Sequence, residues 1–151
     1  MSDANTLNEA ALAAYLEEHI SGFSNLRSVR KFDSGQSNPT YLLEAQSGRY
    51  VLRAKPPGEL LKSAHQVDRE YRVMKALRGT NVPVPEVLHL SGDDSPIGRM
   101  FYVMAFVEGR ILWDPALPEL SSNDERAAAS DAMNKVLADL HDVDHNAVGL
   151  G

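Results

Sequence analysis

Apolar positions at Leu12, Leu16 and Ile20 recur at helical spacing over residues 7–20, which predicts an amphipathic helix stopped by Ser21-Gly22. Residues 26–32, 40–45 and 49–55 are short and extended in character, and Gln46-Ser47-Gly48 between the last two is a hairpin signal. Pro56-Pro57-Gly58 ends this meander. Helical spacing returns over residues 65–78 at Val67, Tyr71, Met74 and Leu77, and Asn81-Val82-Pro83-Val84-Pro85 breaks it. Residues 87–90 and 100–107 read as two more strands around the loop 91–98, and Glu108-Gly109 ends the second. A turn-rich stretch with Pro115 and Pro118 leads to a last helix over 123–141, capped by Ser122 or Asn123 and striped by Ala129, Met133, Val136, Leu137 and Leu140. Three strands, a helix and two strands, joined by short connections, predict an α+β fold: an antiparallel five-stranded sheet with one packed helix, preceded by an N-terminal helix.

Composition narrows the function classes. A chain of 151 residues with 43% hydrophobic and 24% charged content is that of a globular domain able to bury roughly 70% of its unfolded surface. No apolar run approaches the ~20 residues that cross a bilayer. Residues 1–20 carry Asp3, Glu9, Glu17 and Glu18 with no Lys or Arg, so the basic start of a signal peptide is missing and a cytoplasmic location is expected. The lack of cysteine removes disulfides, thiol nucleophiles and Cys-ligated zinc together. A formal charge of −6 opposes wrapping by nucleic acid, while a local basic patch can still hold a phosphorylated small ligand.

Three places can carry chemistry. In residues 32–41, Gly35 permits close backbone approach, and Ser37 and Asn38 offer side-chain donors to a phosphate. The same residues also make good turn chemistry, and no Gly-Lys-Ser/Thr follows to make a Walker A loop. On the helix over 65–78, a rotation of about 100° per residue sets Glu70 beside the apolar stripe and so toward the sheet. Strand alternation puts Val51, Arg53 and Lys55 on one face, which makes Arg53–Glu70 the preferred pair. A structural ion pair with no ligand, or a Glu70 turned to water, is the plainer alternative. Finally, the strand over 100–107 runs into a Gly turn, where the Ala105 C=O and the Val107 N–H can meet an adenine edge. A simple buried strand is the alternative there.

Taken in order, Gly-Gln-Ser-Asn-Pro-Thr-Tyr, then Tyr50-Val51-Leu52-Arg53, then Arg69-Glu70-Tyr71 with Met74 and Leu77, then Val82-Pro83-Val84-Pro85, then Phe101-Tyr102-Val103-Met104 with Glu108-Gly109, the chain resembles the aminoglycoside phosphotransferase-like family. It looks closest to the branch that includes phosphotransferase-like domains fused to acyl-CoA dehydrogenases. The resemblance runs from about Phe32 to Gly151. It implies a protein-kinase-like fold with ATP held between a sheet lobe and a larger helical lobe, and a transfer of the γ-phosphate to a small-molecule hydroxyl. Residues 1–25 are then an N-terminal helical segment, 26–109 the nucleotide-binding lobe, and 110–151 a linker with the first helix of an incomplete C-lobe.

By the same resemblance, Gly35, Gln36, Ser37 and Asn38 cover the triphosphate, and Arg53 stands where the family has a lysine on the α- and β-phosphates. Arg keeps the charge but presents a planar fork. Lys55 is an alternative phosphate contact, Glu70 positions Arg53, Met104 lines the back of the adenine pocket, and Ala105 and Val107 form the hinge. The family's His-x-Asp-x-x-x-x-Asn loop and its later Mg2+-binding Asp do not occur in these 151 residues, so no catalytic residue is assigned and the Mg2+ ligands are expected in the missing C-terminal part. His141-Asp142-Val143-Asp144-His145-Asn146 has the wrong spacing to replace them, and metal binding by His141, Asp144 and His145 matches no recognised ligand pattern. Phosphotransfer by this polypeptide alone is therefore expected to be absent, and a catalytically incompetent nucleotide-binding or interaction module is the alternative function. The stripe of the last helix is expected to be exposed and to promote self-association.

Overall fold

The computed structural model describes residues 7–33, 38–58 and 66–151, and the expected elements follow one another in it with slightly shorter bounds. Helix α1 (Glu9–His19) starts where the Asn8 side chain accepts the Ala11 N–H at 3.1 Å, and it stops as Ile20 turns extended ahead of Gly22 at φ +80°. Strands β1 (Leu26–Lys31), β2 (Thr40–Ala45) and β3 (Gly48–Ala54) come next, then helix α2 (Val67–Leu77), strands β4 (Val87–Leu90) and β5 (Phe101–Ala105), and helix α3 (Asn123–His141).

The sheet has the order β1-β2-β3-β5-β4, with every neighbouring pair antiparallel. After α2 the chain lays β4 on the edge and returns through β5 between β4 and β3. This α+β arrangement is the one that the hydrophobic pattern predicts. Register sets Thr40 opposite Arg53 and Arg53 opposite Tyr102, while Tyr41, Leu52 and Val103 make the adjacent row. Alternation sends those two rows to opposite faces.

Each face has its own cover. On one, Tyr41, Leu43, Leu52, Phe101 and Val103 bury against Leu12 and Leu16 of α1, both fully buried. On the other, Tyr102 and Val87 cluster with Val67 of α2, and Tyr71, Met74 and Met104 close around them. Helix α1 thus packs on the sheet just as α2 does.

A polar corner marks where α1 meets the edge strand. The Tyr15 hydroxyl lies 2.9 Å from Nε2 of His89 on β4, and the His19 ring stacks on Tyr15 with centroids 4.0 Å apart. Burial, then the nearby His19, pushes the His89 pKa below its ordinary 6.5. A base with a lowered folded-state pKa stabilises the fold fully above its unfolded pKa, and that stability is lost as pH falls from about 6.5 through the folded value. His89→Gln is expected to flatten this part of the stability-against-pH curve, as read by thermal melts between neutral and mildly acidic buffers; an unchanged slope would contradict the assignment.

The chain divides into two compact units, one holding residues up to Lys75 with Pro85–Phe106, the other Ala76–Val84 with Val107–Gly151. The first contains the whole sheet. In the second, Ser122 caps α3 by accepting the Glu125 N–H at 3.1 Å, and the Glu125 carboxylate accepts from the Ser121 N–H and hydroxyl at 2.7 and 2.8 Å. Helix α3 buries none of its residues, and Met133, Leu137 and Leu140 of its stripe stay exposed. Among the described residues no helix is long and apolar enough to cross a membrane.

Candidate functional site

The row Thr40–Arg53–Tyr102 puts a hydroxyl, a guanidinium and a phenol side by side on the α2 face of the sheet. Glu70 on the first turns of α2 meets them. Arg53 Nε donates to Glu70 Oε2 at 2.7 Å, and the Tyr102 hydroxyl donates to the same oxygen at 2.9 Å. The other carboxylate oxygen, Oε1, accepts the Asn38 side-chain amide at 3.1 Å. Arg53 is held a second time, because its NH1 donates to the Thr40 hydroxyl at 3.0 Å, and that hydroxyl in turn donates to the Asn38 carbonyl at 3.1 Å. The guanidinium is fixed through two of its nitrogens, so its plane has little freedom.

Burial grades the strength of these contacts. Asn38 and Tyr102 are 4% and 2% exposed, whereas the side chains of Arg53 and Glu70 are 29% and 36% exposed. Water therefore screens part of the ion pair, and its net value is below that of a fully buried pair. Burial first, and the Glu70 charge second, push the Tyr102 pKa well above its ordinary value. Tyr102 is a neutral donor at every physiological pH. Tyr102→Phe removes one hydrogen bond while Arg53 still satisfies Glu70 Oε2, so a loss of about 0.5–1.5 kcal/mol is expected, readable as a lower midpoint in urea. A midpoint equal to wild type would mean that the bond contributes nothing.

Arg53 and Glu70 meet as the alternation and helix arithmetic require. Asn38 joins them from the loop, with its amide turned inward to the carboxylate. Gly35, Gln36 and Ser37 lie outside the described residues. Lys55 falls one residue past β3 and pairs through Nζ with Asp93 at 3.4 Å instead of joining Glu70. Met104 packs in the cluster beside Tyr102 and pairs across the sheet with Val51. Ala105 ends β5 opposite Tyr50 and donates its N–H to the Glu86 carbonyl at 2.8 Å. Just beyond, Arg49 covers the Phe106 ring at 4.4 Å, which pins the exit of β5. Val107 belongs to the second unit and is exposed. In that unit, Asp144 Oδ1 accepts the N–H groups of Asn146 and Ala147, a capped turn. Thr40 and Tyr102 are the members that the sequence reading leaves without a role, since only the register of β2 and β5 against β3 reveals them.

A five-stranded antiparallel sheet with an Arg–Glu pair running from its third strand to the following helix defines the small lobe of a kinase-like phosphotransferase. The sequence profile of the Phosphotransferase enzyme family matches residues 28–151, and the chain belongs to that family. It is 47% identical over 158 residues to a protein of Arabidopsis thaliana named "Probable acyl-CoA dehydrogenase IBR3", covering 99% of this chain and 19% of the relative. It is 45% identical over 144 residues to acyl-CoA dehydrogenase family member 11 of Rattus norvegicus, covering 93% of this chain and 18% of the relative. A crystal structure of a Ralstonia eutropha JMP134 protein named "putative aminoglycoside phosphotransferase" superposes with a TM-score of 0.82 at 47% identity, over 97% of this chain and 41% of that one. The chain thus spans about a fifth of the length of these curated relatives.

Proposed function

We propose that this chain supplies the ATP-binding lobe of a phosphotransferase that moves the γ-phosphate of ATP to the hydroxyl of a small molecule. The observation that carries this reading is the Arg53 guanidinium, anchored by Glu70 and Thr40; its remaining donors are the ones proposed to meet phosphate oxygens. In phosphoryl transfer the protein acts mainly by position and charge, so a cation held in one orientation is the contribution a small lobe makes. Glu70 orients Arg53, and Tyr102 and Asn38 orient Glu70. Met104 and Ala105 at the end of β5 are the residues proposed to line the adenine side, with Val107 next along the chain.

In this cluster Glu70 already accepts from Arg53, Tyr102 and Asn38, so its carboxylate is engaged by protein donors, and Arg53 is the group proposed to meet phosphate. No step is assigned to Mg2+ through these residues, and its ligands are proposed to lie outside them. A small-molecule acceptor is supported by the naming of the Ralstonia relative for aminoglycosides. Titration of the chain with ATP in a calorimeter tests the reading: saturable binding of one nucleotide is expected, and no measurable heat at millimolar ATP would overturn it.

A further inference from the structure

The loop between β4 and β5 carries a cation that none of the preceding assignments uses. Arg99 is 9% exposed, its NH2 donates to the Tyr41 hydroxyl at 3.2 Å, and its Nε is buried without an acceptor. No carboxylate pairs with it among the described residues. A buried guanidinium that meets, among the described side chains, a neutral hydroxyl and no carboxylate is under-compensated by them, because desolvation of a charge is offset by a counter-charge and by full hydrogen bonding.

The surroundings hold Arg99 in place. Ser91 and Ser95 are both buried. The Ser91 hydroxyl donates to the Phe101 carbonyl at 3.1 Å and accepts the Phe101 N–H at 3.0 Å, while the Ser95 hydroxyl donates to the Arg99 carbonyl at 2.6 Å. Gly98 N–H closes the turn on the Ser95 carbonyl at 2.8 Å. The loop is thus fixed by its own hydrogen bonds before any ligand arrives, which lowers the cost of binding one.

Beside Arg99 opens a groove of about 530 Å³ lined also by Lys55, Pro56, Gly58, Asp93 and Ile97. Its charges do not cancel. Asp93 Oδ1 is taken by Lys55 Nζ at 3.4 Å and by the Met100 N–H at 3.2 Å, so among the described lining residues one acid stands against two cations.

We propose that this groove is an anion site that takes a phosphate group through Arg99 and Lys55, separate from the Arg53–Glu70 cluster. An oxyanion entering beside Arg99 supplies a counter-charge and acceptor that the described residues do not, and the groove has room for part of the molecule that bears it. The site lies in the same unit as the sheet and stands whether or not the nucleotide reading holds.

Titration of the isotope-labelled chain with inorganic phosphate, at ionic strength held constant with chloride, tests this by NMR. Saturable shifts are expected at the Arg99 Nε–H and at the Gly58 and Gly98 amides. Affinity should fall about tenfold or more in Arg99→Gln and in Lys55→Met, the second variant serving alone if the first does not fold. Shifts that grow linearly with phosphate, saturation of equal affinity in Lys55→Met, or perturbations centred on Asn38, Thr40 and Arg53 would each overturn the proposal.

Discussion

Arg53→Ala is expected to weaken ATP binding by about tenfold or more, a loss of at least ~1.4 kcal/mol, with the fold kept. The carboxylate of Glu70 retains the Tyr102 hydroxyl and the Asn38 amide after the change, and it is partly open to water, so it is not left bare. What disappears is the guanidinium that the Glu70 carboxylate holds. Arg53→Lys separates charge from geometry: an ammonium can reach Glu70 or a phosphate, but it lacks the second nitrogen that Thr40 now holds. An intermediate affinity is expected for Lys, and calorimetric titration of the three proteins with ATP reads the series. Equal affinity in all three would remove Arg53 from the nucleotide site.

Glu70→Ala is expected to have the largest effect on stability. It takes the shared acceptor away from Arg53, Tyr102 and Asn38 in one step. Loss of the acceptor for the nearly inaccessible Tyr102 hydroxyl costs about 1–3 kcal/mol. The Arg53 share is smaller because both ionic side chains are about a third exposed and screened. A total near 2–4 kcal/mol is expected, which for a chain of this size lowers the melting temperature by about 5–15 °C. Glu70→Gln keeps a carbonyl oxygen for one donor and should fall between Ala and wild type. A melting temperature for Glu70→Ala within about 1 °C of wild type would show that the network is decorative.

How far the sequence reveals this arrangement depends on how local each feature is. The pair Arg53–Glu70 follows from two local periods, alternation in β3 and rotation in α2, and both survive into the structure. The partners Thr40 and Tyr102 depend on which strand lies beside β3 and in what register, and those are choices between segments far apart in the chain. Nothing in the immediate neighbourhood of Tyr102 distinguishes it from Phe101, which faces the opposite core. Alternation also groups Lys55 with Arg53, but the pleat ends at Ala54, and past that point an acid from the β4–β5 loop decides where the side chain goes. Asn38 reads as a donor for a ligand because Asn in a Gly-polar turn is usually exposed. Its amide turns inward because the second oxygen of Glu70, brought by a helix 32 residues away, is there to accept it. The stripe of α3 is legible from spacing, its exposure is expected only from the family resemblance, and the structure leaves Met133, Leu137 and Leu140 uncovered.

The central claim is that ATP is bound by the Thr40–Arg53–Glu70 face of this lobe, and residue-resolved NMR of the labelled chain titrated with ATP tests it most directly. Saturable shifts concentrated at Asn38, Thr40, the Arg53 Nε–H and the amides around Ala105 are expected, all of which vanish in Arg53→Ala. Saturable shifts that leave these residues untouched, or that persist unchanged in Arg53→Ala, would contradict it.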